Sequence, residues 1–140
     1  MKYLGIDYGN KRVGLAISDD DGSLAFPYKI ILNDNTLVDT IHNICGEEGI
    51  GSIVIGESLD LSGNANKIME QIKIFKNTLD QELELPTYFQ KEFMTTIFAR
   101  GRGGKELNNA KKVKKVGSAP ADASAAALIL QRFLDRKNKK

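Results

Sequence analysis

The chain has 140 residues and a net charge of +2, with 41% hydrophobic and 27% charged residues, which is typical of one globular domain. No apolar run approaches the ~20 residues needed to cross a bilayer, and Asp7 interrupts the first apolar segment, which excludes a signal peptide. Cys45 is the only cysteine, so no internal disulfide is possible. We therefore expect a cytoplasmic protein with a single domain over residues 1–140.

Three strands are predicted in the first third of the chain. Residues 2–6 form a short apolar run that ends at Asp7, and Gly9-Asn10 is a strong hairpin signal. Arg12–Ser18 places its large apolar side chains at alternate positions, as a strand does. Ala25–Leu32 follows an acidic turn, so we expect an antiparallel meander of three strands.

The pattern then alternates between helices and strands. A helix that ends near residues 46–49 is predicted from the spacing of Leu37, Ile41, Ile44 and Cys45. Residues 52–56 contain a continuous apolar run, which is typical of a strand covered on both faces. A second helix is predicted from Ile68, Ile72, Phe75 and Leu79. Pro86 precedes a predicted strand over Thr87–Phe93, and a last helix is predicted over about 120–135.

The predicted order is therefore β-β-β-α-β-α-β-α, with a loop before the last helix. Three antiparallel strands followed by two βα units imply a mixed five-stranded sheet with helices on both faces, which is an α/β fold.

Positive charge is concentrated in two segments. One is a glycine-containing stretch at about residues 100–117, predicted to be a flexible loop, with Arg100, Arg102, Lys105, Lys111, Lys112, Lys114 and Lys115. The other is the C-terminal tail, with Arg132, Arg136, Lys137, Lys139 and Lys140. Such clusters favour a nucleic-acid partner, although a solvated loop and tail would carry the same pattern.

Two aspartates would lie close together if the chain has the predicted fold. Asp7 follows the first strand, and Asp122 lies in the first turn of the last helix. Taken singly, Asp7 is a turn residue and Asp122 complements the helix dipole. In a sheet of this order, however, the last helix can bring its first turn beside the first strand. Both carboxylates would then lie in one cleft.

Several segments resemble the YqgF/RuvX family. Its opening motif is similar to residues 5–19, which read GIDYGNKRVGLAISD, and its closing helix is similar to residues 122–134. Shorter matches occur at the family's third strand (residues 25–27) and at its central strand and the loop that follows (residues 53–56 and 62–64). Another match is at the end of its second acidic motif (residues 95–96). The resemblance therefore covers essentially the whole chain.

The resemblance implies an RNase H-like fold and a metal-dependent phosphodiester hydrolase. The family is associated with trimming the 5′ end of precursor 16S rRNA and is related to Holliday-junction resolvases. Carried over to this chain, it implies Asp7, Glu92 and Asp122 as catalytic residues and as ligands of Mg²⁺ or Mn²⁺. The expected nucleic-acid-binding residues are Lys11, Arg12, Arg100, Arg102 and Lys105. RNA is the favoured partner over DNA, and no membrane partner is expected. The expected oligomeric state is a monomer or weak homodimer.

The chain departs from the family in its second acidic motif and after its central strand. The family's second acidic motif has Asp-Glu-Arg where this chain has Lys91-Glu92-Phe93, so that Lys91 replaces an aspartate and puts the activity in question. After the central strand, the family favours Gly-Leu-Pro where this chain has Gly56-Glu57-Ser58. One hypothesis is that Glu57 replaces the lost aspartate as a metal ligand; the alternative is an ordinary surface residue.

Three other functions compete with an rRNA-processing nuclease. One is a Holliday junction resolvase-like DNase. Another is a binding module that has lost catalysis because of Lys91. An actin-like nucleotide-binding protein is disfavoured, because it needs two such domains. Outside the motifs, Cys45 is predicted to be a buried structural thiol and His42 a partly exposed helical residue.

Overall fold

A computed structural model describes residues 1–59, 68–93 and 121–139 of the chain. Its strands and helices follow one another as β1 (Lys2–Tyr8), β2 (Arg12–Ser18), β3 (Ala25–Leu32), α1 (Leu37–Glu48), β4 (Ile50–Leu59), α2 (Ile68–Leu83), β5 (Thr87–Phe93) and α3 (Ala121–Asn138). This is the predicted order. The basic segment at 100–117, the motif residues 62–64 and 95–96, and Lys140 lie outside the described residues.

The strands form a five-stranded mixed sheet in the order β3-β2-β1-β4-β5. β1 pairs antiparallel with β2 and β2 antiparallel with β3, whereas β1 pairs parallel with β4 and β4 parallel with β5. Since β1, β4 and β5 run in the same direction, they all end on one side, called here the carboxyl end of the sheet. The mixed five-stranded sheet expected from the sequence is thus confirmed.

Each face of the sheet is covered by helices. Large side chains of β1, β2 and β4 pack with α1 and α2 in one buried cluster, which includes Leu4, Ile6, Leu15, Ile41, Ile53, Ile55, Ile72 and Leu79. A second cluster lies between the sheet and α3 and contains Tyr3, Ala16, Val54, Ala126, Ile129, Leu130, Phe133 and Leu134. These two sides are called the α1/α2 face and the α3 face. Their alternation along β1 and β4 follows from the two-residue period of a strand.

Contacts along β1 fix the direction of α3. The ring of Tyr3, near the start of β1, lies 5.9 Å from the ring of Phe133. Two residues further along β1, a Cβ atom at Gly5 would lie 2.7 Å from the Cβ atom of Leu130. Residues further along β1 contact α3 residues with lower numbers, so α3 runs antiparallel to β1. The first turn of α3 therefore points toward the carboxyl end of the sheet.

Close packing of α3 leads to a stability prediction for Gly5. Gly5→Ala should lower the free energy of unfolding by about 1–3 kcal/mol, because the new methyl group meets the Cβ of Leu130 and, at 3.1 Å, the backbone oxygen of Ala126. Gly56→Ala should cost less, because its nearest neighbour is the flexible Cδ1 of Ile129 at 2.6 Å. Denaturant unfolding measures both changes.

Gly46→Ala is the control for this prediction. A Cβ atom there meets nothing within 4 Å, and Gly46 lies inside α1, where alanine is the better helix former. This variant should be about 0.5–1 kcal/mol more stable than the original protein. A Gly5→Ala protein as stable as the original would contradict the close approach of α3.

Two strands extend further than the sequence predicted. β1 continues to Tyr8, so Asp7 lies within the strand, opposite Gly14, rather than after it. β4 covers Ile50–Leu59 instead of residues 52–56, and Glu57 and Ser58 pair with β5. Hydrophobicity misses such residues because their backbone hydrogen bonds to neighbouring strands, not apolar burial, keep them extended.

The two residues set aside from the motifs have ordinary structural roles. Cys45 is free and buried among apolar side chains of the α1/α2 face, and this burial raises the pKa of its thiol to about 11. It is therefore the buried thiol that was predicted. His42 is exposed on α1.

Among the described helices, none is long and apolar enough to span a membrane.

Candidate functional site

Asp7 lies at the carboxyl end of the sheet, on the face that α3 covers. It is the second-last residue of β1 and is half-buried. Leu4 and Ile6 belong to the α1/α2 face and Tyr3 to the α3 face, so the alternation of β1 directs Asp7 to the α3 face. The first turn of α3 approaches this same end and face. Asp7 and the first turn of α3 therefore lie at the same end and on the same face of the sheet.

The other two predicted ligands are described only through their backbones. Asp122 is the second residue of α3, and the Cα of Glu92 pairs with that of Ser58 near the end of β4. Their backbones thus belong to elements that reach the carboxyl end, where Asp7 lies. Among the side chains that the structure describes, no group of three or more His, Cys, Asp or Glu could hold a metal ion. The side chains of Glu92 and Asp122 are not among those described, so the ligand set stays a prediction.

Glu57 and Lys91 lie opposite each other on the face away from Asp7. Their Cα atoms are paired across β4 and β5. Ile53 and Ile55 of β4 belong to the α1/α2 face, so alternation gives Glu57 this face too. Phe89 of β5 packs on the same cluster, which places Lys91 there as well. This geometry disfavours Glu57 as a ligand beside Asp7, and it keeps the Lys91 charge away from Asp7.

Gln90 is a polar residue at this end of the sheet that sequence reasoning missed. It is only 8% exposed, and it shares the α3 face with Tyr88, whose ring stacks on Phe133 at 5.5 Å. Its Nε2 donates a hydrogen bond to the backbone oxygen of Lys91 at 3.3 Å, but its Oε1 has no partner within the described structure. An unsatisfied buried oxygen of this kind costs about 1–3 kcal/mol. The only sequence signal was a glutamine two residues before Glu92.

Gln90 also bears on whether the site suits a cation. Mg²⁺ and Mn²⁺ prefer oxygen ligands, from carboxylates, amide carbonyls and water. The carboxylate of Asp7 and the unpartnered Oε1 of Gln90 are both such oxygens, on the same face at the same end of the sheet. The described residues therefore offer oxygen donors of the kind that these cations prefer, on two strands that are separated by β4.

Exposed cations follow Asp7 in the hairpin between β1 and β2. Lys11 and Arg12 are both exposed. The turn is tight, since a Cβ atom at Gly9 would lie 2.5 Å from the backbone oxygen of Arg12. Asn33 holds it by donating from its amide Nδ2 to the Gly9 oxygen at 2.7 Å and from its backbone nitrogen to the Lys11 oxygen at 2.9 Å.

The other predicted phosphate contacts are Arg100, Arg102 and Lys105. They lie outside the described residues.

Solved structures of resolvases share this fold. RuvC of Thermus thermophilus, in complex with a Holliday junction substrate, matches with a TM-score of 0.60 at 13% identity, over 99% of this chain and 97% of that chain. The Holliday junction resolvase of fowlpox virus matches with a TM-score of 0.53 at 14% identity, over 97% of this chain and 99% of that chain. At such low identity the likeness concerns the fold alone, and it confirms the predicted RNase H-like architecture.

Sequence comparisons give the family. A protein of Maridesulfovibrio salexigens named "Putative pre-16S rRNA nuclease" is 36% identical over 97% of this chain and 99% of its own length. A protein of Pelagibacter ubique with the same name is 29% identical, over 99% of this chain and 90% of its own length. The sequence model of the RuvX family, described as "Holliday junction resolvase", matches residues 1–136. The chain therefore belongs to the RuvX family.

Proposed function

We propose that this protein is a metal-dependent nuclease that processes the 5′ end of precursor 16S rRNA. The observation that carries the proposal is the convergence of Asp7 and the first turn of α3 at the carboxyl end of the sheet, in a chain of the RuvX family. The substrate is inferred from the name that the relatives carry. The same proposal includes a cytoplasmic protein with one nuclease domain over residues 1–140.

In this proposal, Asp7, Glu92 and Asp122 are the catalytic residues and hold Mg²⁺ or Mn²⁺. When bound, the cation supplies an activated water and neutralises charge on the scissile phosphate. Asp7 would contribute a carboxylate oxygen to this cation from a residue whose backbone is held in β1. Gln90 lies on the same face as Asp7, two strands away, and its Oε1 has no hydrogen-bond partner among the described residues, so it can serve as an acceptor.

Basic residues outside this centre hold the nucleic-acid backbone in our proposal. Lys11 and Arg12 are exposed on the hairpin that follows Asp7, where they can contact phosphates on either side of the cut. Arg100, Arg102 and Lys105 extend the contact. RNA is the favoured partner, and a monomer or weak homodimer suffices, because trimming one end needs one active site.

Cleavage of a Holliday junction is the second candidate. The description of the family model and the fold shared with junction resolvases favour it. Such a reaction cuts two symmetric strands and would need a dimer. The third possibility, a binding module without catalysis, rested on Lys91 and loses weight because Lys91 lies on the face away from Asp7.

A substrate panel tests the proposal. Purified protein is incubated with Mg²⁺, Mn²⁺ or EDTA and with labelled substrates: a precursor 16S rRNA 5′ fragment, single-stranded RNA, single-stranded DNA and a four-way DNA junction. We expect cleavage only with metal, fastest on the rRNA fragment. Faster cutting of the junction would select the resolvase. Binding without any cutting would select the module that lacks catalysis.

A further inference from the structure

A pocket opens beside the end of β1 on the α1/α2 face, across the sheet from Asp7. Its volume is about 330 Å³, and it lies between the segment that leads into α1 and the side of α2 that carries Gln71 and Thr78. Buried apolar side chains form its floor, and exposed amide side chains form part of its rim, with Leu37 and Phe75 below and Asn35 and Gln71 above. The volume is at the lower end of the ~300–1,000 Å³ range of small-molecule sites, which suits one planar group.

The lining offers both kinds of contact that a nucleobase needs. The rings of Tyr8 and Phe75 form a tilted pair with centroids 4.9 Å apart, and aromatic rings provide stacking surfaces for bases. Asn35 and Gln71 each carry an amide donor and an amide acceptor, which can pair with the polar edge of a base. The pocket thus combines an apolar stacking wall with adaptable hydrogen-bonding groups.

The charge of the rim favours a base over a phosphate. Asp34 also lines the pocket, and the hydroxyl and backbone amide of Thr36 donate hydrogen bonds to its Oδ1. These hydrogen bonds lower the pKa of Asp34, so that its carboxylate is ionised at neutral pH. An ionised carboxylate repels a phosphate, yet it can accept a hydrogen bond from an amino group of a base.

The position of the pocket connects it to the proposed active site. Tyr8 follows Asp7 directly in β1, and consecutive Cα atoms are about 3.8 Å apart. Asn33 lines the pocket and also donates a hydrogen bond to the oxygen of Gly9, in the hairpin that carries Lys11 and Arg12. The side chains of Tyr8 and Asp7 lie on opposite faces at the same end of β1, so a nucleic-acid strand that passes over this end with a phosphate at Asp7 can place a nearby base at Tyr8.

We propose that this pocket binds one unpaired base of the nucleic acid whose backbone is held at Asp7. The inference rests on the proposed nuclease function and adds a base contact to it. It also gives a preference for single-stranded segments, because a base within a duplex is stacked and paired and cannot enter the pocket.

Abasic scanning tests the pocket without cleavage. The protein is titrated into a labelled single-stranded RNA from the 5′ region of precursor 16S rRNA, with Ca²⁺ in place of Mg²⁺, and a gel verifies that the RNA stays intact. Fluorescence anisotropy gives the Kd for RNAs that lack one base at successive positions. We expect one position, or two adjacent ones, where loss of the base weakens binding about tenfold, in keeping with the contribution of one stacked base.

Variants then assign that effect to the pocket. Tyr8→Leu keeps an apolar side chain but removes the ring, and Gln71→Ala removes an exposed amide and leaves the fold unchanged. Both should weaken binding to intact RNA and reduce the penalty at the sensitive position. Gln81→Ala is the matched control, because Gln81 is also exposed on α2 but does not line the pocket. It should keep the original profile.

The outcomes distinguish failure of the pocket proposal from failure of the nuclease proposal. A flat abasic profile, or a penalty that is unchanged in Gln71→Ala and in folded Tyr8→Leu, overturns the pocket but leaves the nuclease proposal standing. If the original protein does not bind the intact RNA in this assay, both proposals are overturned.

Discussion

Asp7→Asn should reduce metal-dependent cleavage by about 100- to 1,000-fold while the protein stays folded. This is the scale on which loss of one preorganised electrostatic group affects catalysis. Asparagine has nearly the same shape as aspartate, so the pairing of residue 7 with Gly14 is preserved. The negative charge is lost, however, and with it the strongest attraction of residue 7 for a divalent cation. Initial cleavage rates at saturating Mg²⁺ measure the effect, and the thermal unfolding midpoint verifies the fold.

Asp21→Asn is the matched control for charge. Asp21 is exposed in the turn between β2 and β3, at the opposite end of the sheet from Asp7. The two variants change the net charge equally, so nonspecific repulsion of nucleic acid changes equally in both. Cleavage by Asp21→Asn should be within about twofold of the original rate, as for most surface substitutions. Equal losses in both variants would contradict a specific role for Asp7.

Periodicity and connectivity carried most of the fold prediction. The helical spacing from Ile68 to Leu79 reflects the burial that the structure shows, because one face of α2 packs on the sheet. The alternation of large apolar residues in Arg12–Ser18 correctly indicated a strand, although β2 is buried on both faces from Val13 to Ser18. The approach of α3 to Asp7 was also predictable, since few connections are possible for a sheet with this order of elements.

The face of the sheet on which Glu57 and Lys91 lie could not be predicted from the sequence. Glu57 was weighed as a neighbour of Asp7 because it follows the predicted central strand, and Lys91 because it replaces an aspartate of the family's second acidic motif. Which face each residue takes depends on the register of β4 against β1 and β5, and a shift by one residue would reverse it. The sequence contains no signal for that register, since Glu57 and Ser58 lie beyond the apolar run.

Gln90 and the pocket beside Tyr8 escaped prediction for a related reason. The burial of Gln90 results from its place on the α3 face of β5. The pocket exists because the segment leading into α1 and the side of α2 between Gln71 and Thr78 leave space next to Tyr8. Both are products of how separate elements pack, which local patterns do not encode. Sites formed within one segment, such as the hairpin of Lys11 and Arg12, are easier to recognise.

The second large effect is expected from Glu92 and not from Glu57. Glu92→Gln should lower the cleavage rate about 100-fold, whereas Glu57→Gln should keep it within about twofold. The alternation that places Gln90 on the α3 face is expected to continue to position 92, on the side of Asp7. Glu57 takes the other face, opposite Lys91. Cleavage rates and Mn²⁺ affinity by calorimetry measure both variants.

This pair of variants separates geometry from charge. Both remove one negative charge from a glutamate near the end of neighbouring strands, so a difference between them reports the face on which the carboxylate lies. A loss in Glu57→Gln with little change in Glu92→Gln would show that Glu57 has taken over as the ligand and that β4 is in a different register near its end. The expected opposite result would mean that Lys91 replaced an aspartate outside the metal centre, so that the divergent motif remains compatible with catalysis.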